Sequence, residues 1–119
     1  MPTLPAGEYV ITDPCYAWSG RKYSKILDET KFFSPDGVFV ERDSGRQFAI
    51  FSTHHGDGVY KDNLGNSYSV DAGCIGCLPR DIVDNVYPWM AVIKFENNFE
   101  VSSSNGVINY GHVSIETGW

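Results

Sequence analysis

The 119-residue sequence predicts a small, mostly β (α+β) domain: antiparallel strands curled into a barrel or sandwich, with one short helix. Three observations lead there. Apolar residues alternate with period two through most of the chain. Turn-forming clusters of Asp, Asn, Ser and Gly recur at the close spacing of hairpins. Strands do not alternate with helices, which argues against a parallel doubly wound sheet. A hydrophobic content of 42% with 14% aromatics fits a packed globule. With no internal repeat or linker, residues 1–119 read as a single domain.

The elements follow in chain order. Glu8-Tyr9-Val10-Ile11-Thr12 is an apolar-rich strand stopped by Asp13-Pro14. From Arg21 to Phe33, Tyr23, Ile26, Leu27 and Thr30 recur at helical spacing, and Pro35-Asp36-Gly37 ends the helix. Gly37 to Arg42 and Arg46 to Phe51 flank Asp43-Ser44-Gly45 and form a hairpin. A second hairpin turns at Asp62-Asn63-Leu64-Gly65, with Asp as side-chain acceptor and Gly where φ must be positive; closing it sets Tyr60 opposite Tyr68. Arg80 to Val83 forms a single turn after Pro79. Met90 to Glu96, Phe99 to Val101, Val107 to Tyr110 and His112 to Glu116 complete the strands, separated by Asn97-Asn98 and the Asn105-Gly106 turn.

Charge and composition exclude several classes. The net charge of −6 arises from scattered residues, and the densest basic cluster, Arg21-Lys22-Lys25, is too small to track phosphates. Nucleic acid is therefore not an expected partner. Apolar runs are only a few residues long, so no membrane span is expected. MPTLPAGEY has neither a basic nor an apolar signal region, and three cysteines without an export signal suit a reducing compartment. The expected location is cytoplasmic.

The reactive side chains concentrate between Thr53 and Pro79. His54-His55-Gly56-Asp57-Gly58 places two imidazoles and a carboxylate on a sharply folding loop, while Asp13 and Asp71 stand at strand ends. Extending the Tyr60–Tyr68 register sets Asp57 across from Asp71. Such a group could bind a partner, hold a divalent cation or supply acid and base; alternatively, each Asp caps its own turn. Cys74-Ile75-Gly76-Cys77 has half-site zinc spacing that Cys15 and His54 could complete, but only one such pair exists along the chain, and two small thiols buried on a strand is the favoured reading. No metal or other cofactor is expected. Cys15 is also a possible nucleophile, with His54, His55 or His112 as base. Tyr16, Trp18, Tyr87, Trp89 and Trp119 fall in loops or at strand ends; Trp18 and Trp89 are the candidates for a binding surface.

The ordered segments YVITDPCY, HGDGVY, GNSYSVDAGCIGCLP and GHVSIETG resemble a set of small bacteriophage and bacterial proteins, over most of the chain. The resemblance implies a phage-type accessory protein acting in an infected cytoplasm on a host component or small molecule; it implies no residue role. The leading expectation is a binding protein that recognises a host protein or small polar ligand through Asp13, His54, His55, Asp57, Asp71, Trp18 and Trp89. The alternatives are a small metal-dependent hydrolase built on the Asp and His residues and a structural phage component. No catalytic residue is assigned, and the oligomeric state stays open.

Overall fold

A computed structural model describes residues 2–118. In chain order its elements are β1 (Thr3–Leu4), β2 (Gly7–Thr12), α1 (Pro14–Ala17), α2 (Gly20–Glu29), β3 (Gly37–Val40), β4 (Gln47–Ser52), β5 (Gly58–Asp62), β6 (Ser67–Val70) and β7 (Cys74–Pro79). A 3₁₀ turn (Arg80–Ile82) then leads to β8 (Ala91–Phe95), β9 (Phe99–Ser104), β10 (Val107–Tyr110) and β11 (Val113–Glu116). The strands form two antiparallel sheets, ordered β1-β9-β10-β11-β5-β6 and β3-β4-β7-β2-β8. They stack as a sandwich and do not close into a barrel.

Two apolar clusters follow from strand alternation. Tyr9, Ile11, Ala49, Phe51, Ile75 and Cys77 of the five-stranded sheet meet Tyr60, Tyr68, Val101, Ile108 and Ile115 of the other, forming the main core. On the outer face of the five-stranded sheet, Phe48, Ile50, Cys74 and Leu78 pack against Ala17, Trp18, Ile26 and Phe33. Strand β7 is thus covered on both faces, which explains why CIGCLP is continuously apolar and not alternating. Gly76 has no room for a side chain: a Cβ there would lie 2.7 Å from Ile50 Cδ1.

Both expected hairpins form, the second in the expected register. Phe39 faces Phe48 across the first and Tyr60 faces Tyr68 across the second. In the second, Asp62 Oδ1 accepts from Leu64 N at 2.8 Å and Asn66 N at 2.9 Å. Its Oδ2 accepts from Asn66 Nδ2 at 3.0 Å and from the Tyr68 hydroxyl at 2.6 Å. Gly65 takes φ 91°, as the turn requires.

The helical parts depart from expectation in two ways. Asp13-Pro14 stops β2 but also starts α1, with Asp13 as N-cap and Pro14 in the first turn. The main helix ends at Glu29, not Phe33. Phe32 N donates to Leu27 O at 2.8 Å and Lys31 N to Asp28 O at 3.5 Å, the crossed pair of bonds of a Schellman end. Lys31 occupies the position usually given to glycine, at φ 53°, and Phe32 (59°) and Phe33 (56°) continue the left-handed run. Each such residue costs about 1–2 kcal/mol. The helical periodicity overran because Phe33 does reach the same core as Tyr23 and Ile26, by way of this turn.

Candidate functional site

Antiparallel pairing collects the termini of six strands at one end of the molecule. The ends of β2, β4 and β6 meet the starts of β5, β7 and β8 there, through Thr12↔Gly76, Ser52↔Cys74, Gly58↔Val70 and Ile11↔Ala91. Asp13, His54, His55, Asp57, Asp71 and Trp89 all belong to that end.

Asp13 lies beneath it, fully buried. Oδ1 accepts from Cys15 N at 2.9 Å, while Oδ2 accepts from Asp71 N and Ala72 N, each at 2.7 Å. The expectation of Asp13 as a ligand-binding group is therefore corrected: its carboxylate is occupied by three backbone donors that join β2, α1 and the β6–β7 turn. Asp71 contributes its backbone to this clamp and keeps its side chain exposed. Asp57, also exposed, lies beside Gly73, with Oδ1 4.0 Å from where a Gly73 Cβ would stand. The ladder stops at Gly58↔Val70, one position short of these two acids.

The His54–Gly58 loop is tied down at several points. Thr53 N donates to Gly73 O at 3.0 Å and His54 N to Thr117 Oγ1 at 3.0 Å. The Tyr60 hydroxyl donates to Gly56 O at 2.9 Å. Both imidazoles are exposed and meet edge to face, with ring centroids 4.7 Å apart.

The aromatic candidates separate. Trp18 is only 3% exposed and donates from Nε1 to Ile82 O at 2.9 Å, inside the cluster formed by Tyr23, Phe33 and Phe48. It is a core residue and not part of a binding surface. Trp119 lies outside the described residues. Trp89 is 55% exposed and stands in a row of rings, edge-on to Tyr16 at 5.3 Å and stacked on Tyr87 at 5.6 Å. Tyr87 is itself 42% exposed, and Val86 and Val92 add exposed apolar surface nearby in the chain. Trp89 also borders Ser67 and Ser69 of β6 over buried Asp13, which places the row next to the acidic turns.

The cysteines do not assemble a metal site. Cys74 faces the helix layer and Cys77 the sandwich core, since residues three apart on a strand point to opposite faces. Among the described residues, no three His, Cys, Asp or Glu side chains converge as ligands. Burial, followed by the hydrogen bond to Asp13, pushes the Cys15 thiol up to about 12, and burial raises Cys74 likewise to about 12. Neither is an activated nucleophile.

Two features of this end escaped sequence reasoning. The Tyr16–Trp89–Tyr87 row joins positions more than 70 residues apart, which no local pattern reveals. The helical periodicity of Arg21 to Phe33 runs through exposed Phe32, although the lack of glycine or asparagine after Glu29 is a visible sign of an unusual ending. No protein-family model, curated protein or solved structure matches this chain, so the geometry itself carries the functional reading.

Proposed function

We propose that the chain is a binding protein without chemistry of its own, engaging a protein partner through the Tyr16–Trp89–Tyr87 row and the acidic turns beside it. The row is the observation that carries this reading: Trp89 and Tyr87 stack on one another and still leave large flat ring faces in water. Tyr and Trp are the residues that most often anchor interfaces, because they bury much area with few rotatable bonds. Exposed Asp57 and Asp71 and a net charge of −6 favour a partner with a basic contact surface. The weakly acidic thiols and the committed Asp13 carboxylate speak against nucleophilic or acid–base catalysis at this end. The resemblance to small phage and bacterial proteins is consistent with an accessory role on a host protein in an infected cytoplasm.

The test is affinity capture from the producing cell, followed by titration of the captured protein. Trp89→Ala and Tyr87→Ala are each expected to weaken binding by about 2 kcal/mol, roughly thirtyfold, while stability changes by less than about 1 kcal/mol. Arg42→Ala, on the β3–β4 hairpin at the opposite end, is expected to bind normally. Full binding by Trp89→Ala would dismiss the row as the interface.

A further inference from the structure

We propose that the hollow between α2, the Lys31–Phe33 turn and the adjoining ends of β4 and β7 binds a small molecule consisting of one aromatic ring with a hydrogen-bond donor, and that Phe32 is its outer wall. The hollow has a volume of about 260 Å³ and is bounded chiefly by Tyr23, Leu27, Phe32, Phe33, Ile50 and Ser52. An apolar cavity of about 150 Å³ suffices for benzene, and drug-sized ligands occupy about 300–1,000 Å³. The volume thus suits a single ring with a substituent. Three aromatic side chains in the wall favour an aromatic ring as occupant.

The polar lining selects the substituent. Ser52 N donates to Asp36 Oδ2 at 2.8 Å, and Ser52 Oγ donates to Asp36 Oδ1 at 3.0 Å. With its hydrogen committed to Asp36, the Ser52 hydroxyl keeps only lone pairs for a ligand, so a donating group matches it. The Tyr23 hydroxyl in the same wall can accept from that group, while the Cys74 thiol there adds only a weak donor and acceptor.

Phe32 supplies the independent observation. It holds a left-handed backbone while its side chain is 72% exposed. Phe33 shares the backbone strain, but its ring is buried against Trp18, Phe39 and Phe48, which offsets the cost. Nothing comparable offsets Phe32. Its one backbone bond, to Leu27 O, is available to any residue that carries an N–H, and glycine would adopt this conformation without strain. A phenyl ring kept here against both costs points to a contact outside the folded chain. This site uses none of the Tyr16–Trp89–Tyr87 row and stands or falls separately from the partner reading.

Calorimetric titration of the full chain with phenol and with benzene, which differ only in the hydroxyl, tests the proposal. Phenol is expected to saturate one site with a dissociation constant on the order of 0.1–1 mM, and benzene to bind at least about fivefold more weakly. Ser52→Ala should abolish that preference. Phe32→Gly should weaken phenol binding by about tenfold or more and raise the melting temperature, because strain is removed together with the wall. Failure of phenol to saturate by about 10 mM would overturn the proposal. So would equal binding of phenol and benzene, undiminished binding by Phe32→Gly, or a lower melting temperature for that variant.

Discussion

The turn at Asp62–Asn66 and the turn at Lys31–Phe33 solve the same geometric problem with opposite chemistry. Both demand a left-handed backbone. The first places glycine at that position and closes four hydrogen bonds on one carboxylate. It is anchored further by Asn63, which donates from Nδ2 to His112 O and accepts from Ser114 N beside β11. The second places Lys, Phe and Phe in the left-handed region and leaves one ring in solvent. Local preference and global fold agree in one turn and conflict in the other. Conflicts of this kind concentrate where a protein does something besides fold.

The largest expected effect lies at Asp13, which serves the β2–α1 junction as Asp62 serves its hairpin. Asp13→Ala removes the acceptor of three backbone donors and the cap of α1, and should destabilise by about 3–5 kcal/mol. A urea midpoint within error of the unmodified protein would show that water replaces the clamp at no cost.

Asp62→Ala comes next, at about 2–4 kcal/mol from four lost bonds. This site also predicts a pH dependence. Burial alone would raise the Asp62 pKa, but hydrogen bonds from Tyr68, Asn66 and the backbone of Asn66 and Leu64 outweigh it and hold the carboxyl below its ordinary value. Its contribution is therefore complete above the unfolded-chain value of about 4 and is lost as pH falls from there towards the lower folded value. Denaturation curves of the unmodified protein and Asp62→Asn should converge over that acidic window. A constant gap would assign the effect to shape alone.

Gly65→Val is the smallest of the three, at about 1–3 kcal/mol, since a β-branched residue resists φ 91°. Set against Phe32→Gly, which should stabilise, it tests the contrast between the turns with opposite signs. Two changes of the same sign would mean that the strain at Phe32 is relieved by contacts within the fold.

How much of this was legible in the sequence depended on the range of the interaction. Period-two alternation and the Asp62-Asn63-Leu64-Gly65 signal were sufficient to place β5 and β6 and to pair Tyr60 with Tyr68, because turn and ladder are local. The β3–β4 and β9–β10 hairpins were readable for the same reason. Helix α1 was hidden because Asp13-Pro14 serves both as strand stop and as helix start, and only the second use produces four helical residues. Asp13 was correctly located at a strand end, but its partners at Asp71 and Ala72 belong to a turn that no periodicity connects to it. Trp18 is a binding-surface candidate from sequence because its segment carries no strand or helix pattern; the layer of α2 over the five-stranded sheet, which encloses it, is a long-range feature.

The reach of the two carboxylates also gives the chain an order of assembly. All of the bonds to the Asp62 carboxylate close within six residues of it, whereas the outer bonds of the Asp13 carboxylate span 58 and 59 residues. Short loops close at little entropic cost, and long ones wait until other contacts have drawn their ends together. The β5–β6 hairpin is thus suited to form early, and the Asp13 junction to lock after the sheets have met. Loss of Asp62 should then appear chiefly as slower folding, and loss of Asp13 as faster unfolding. One acid begins the ribbon; the other determines how long the finished end stays shut.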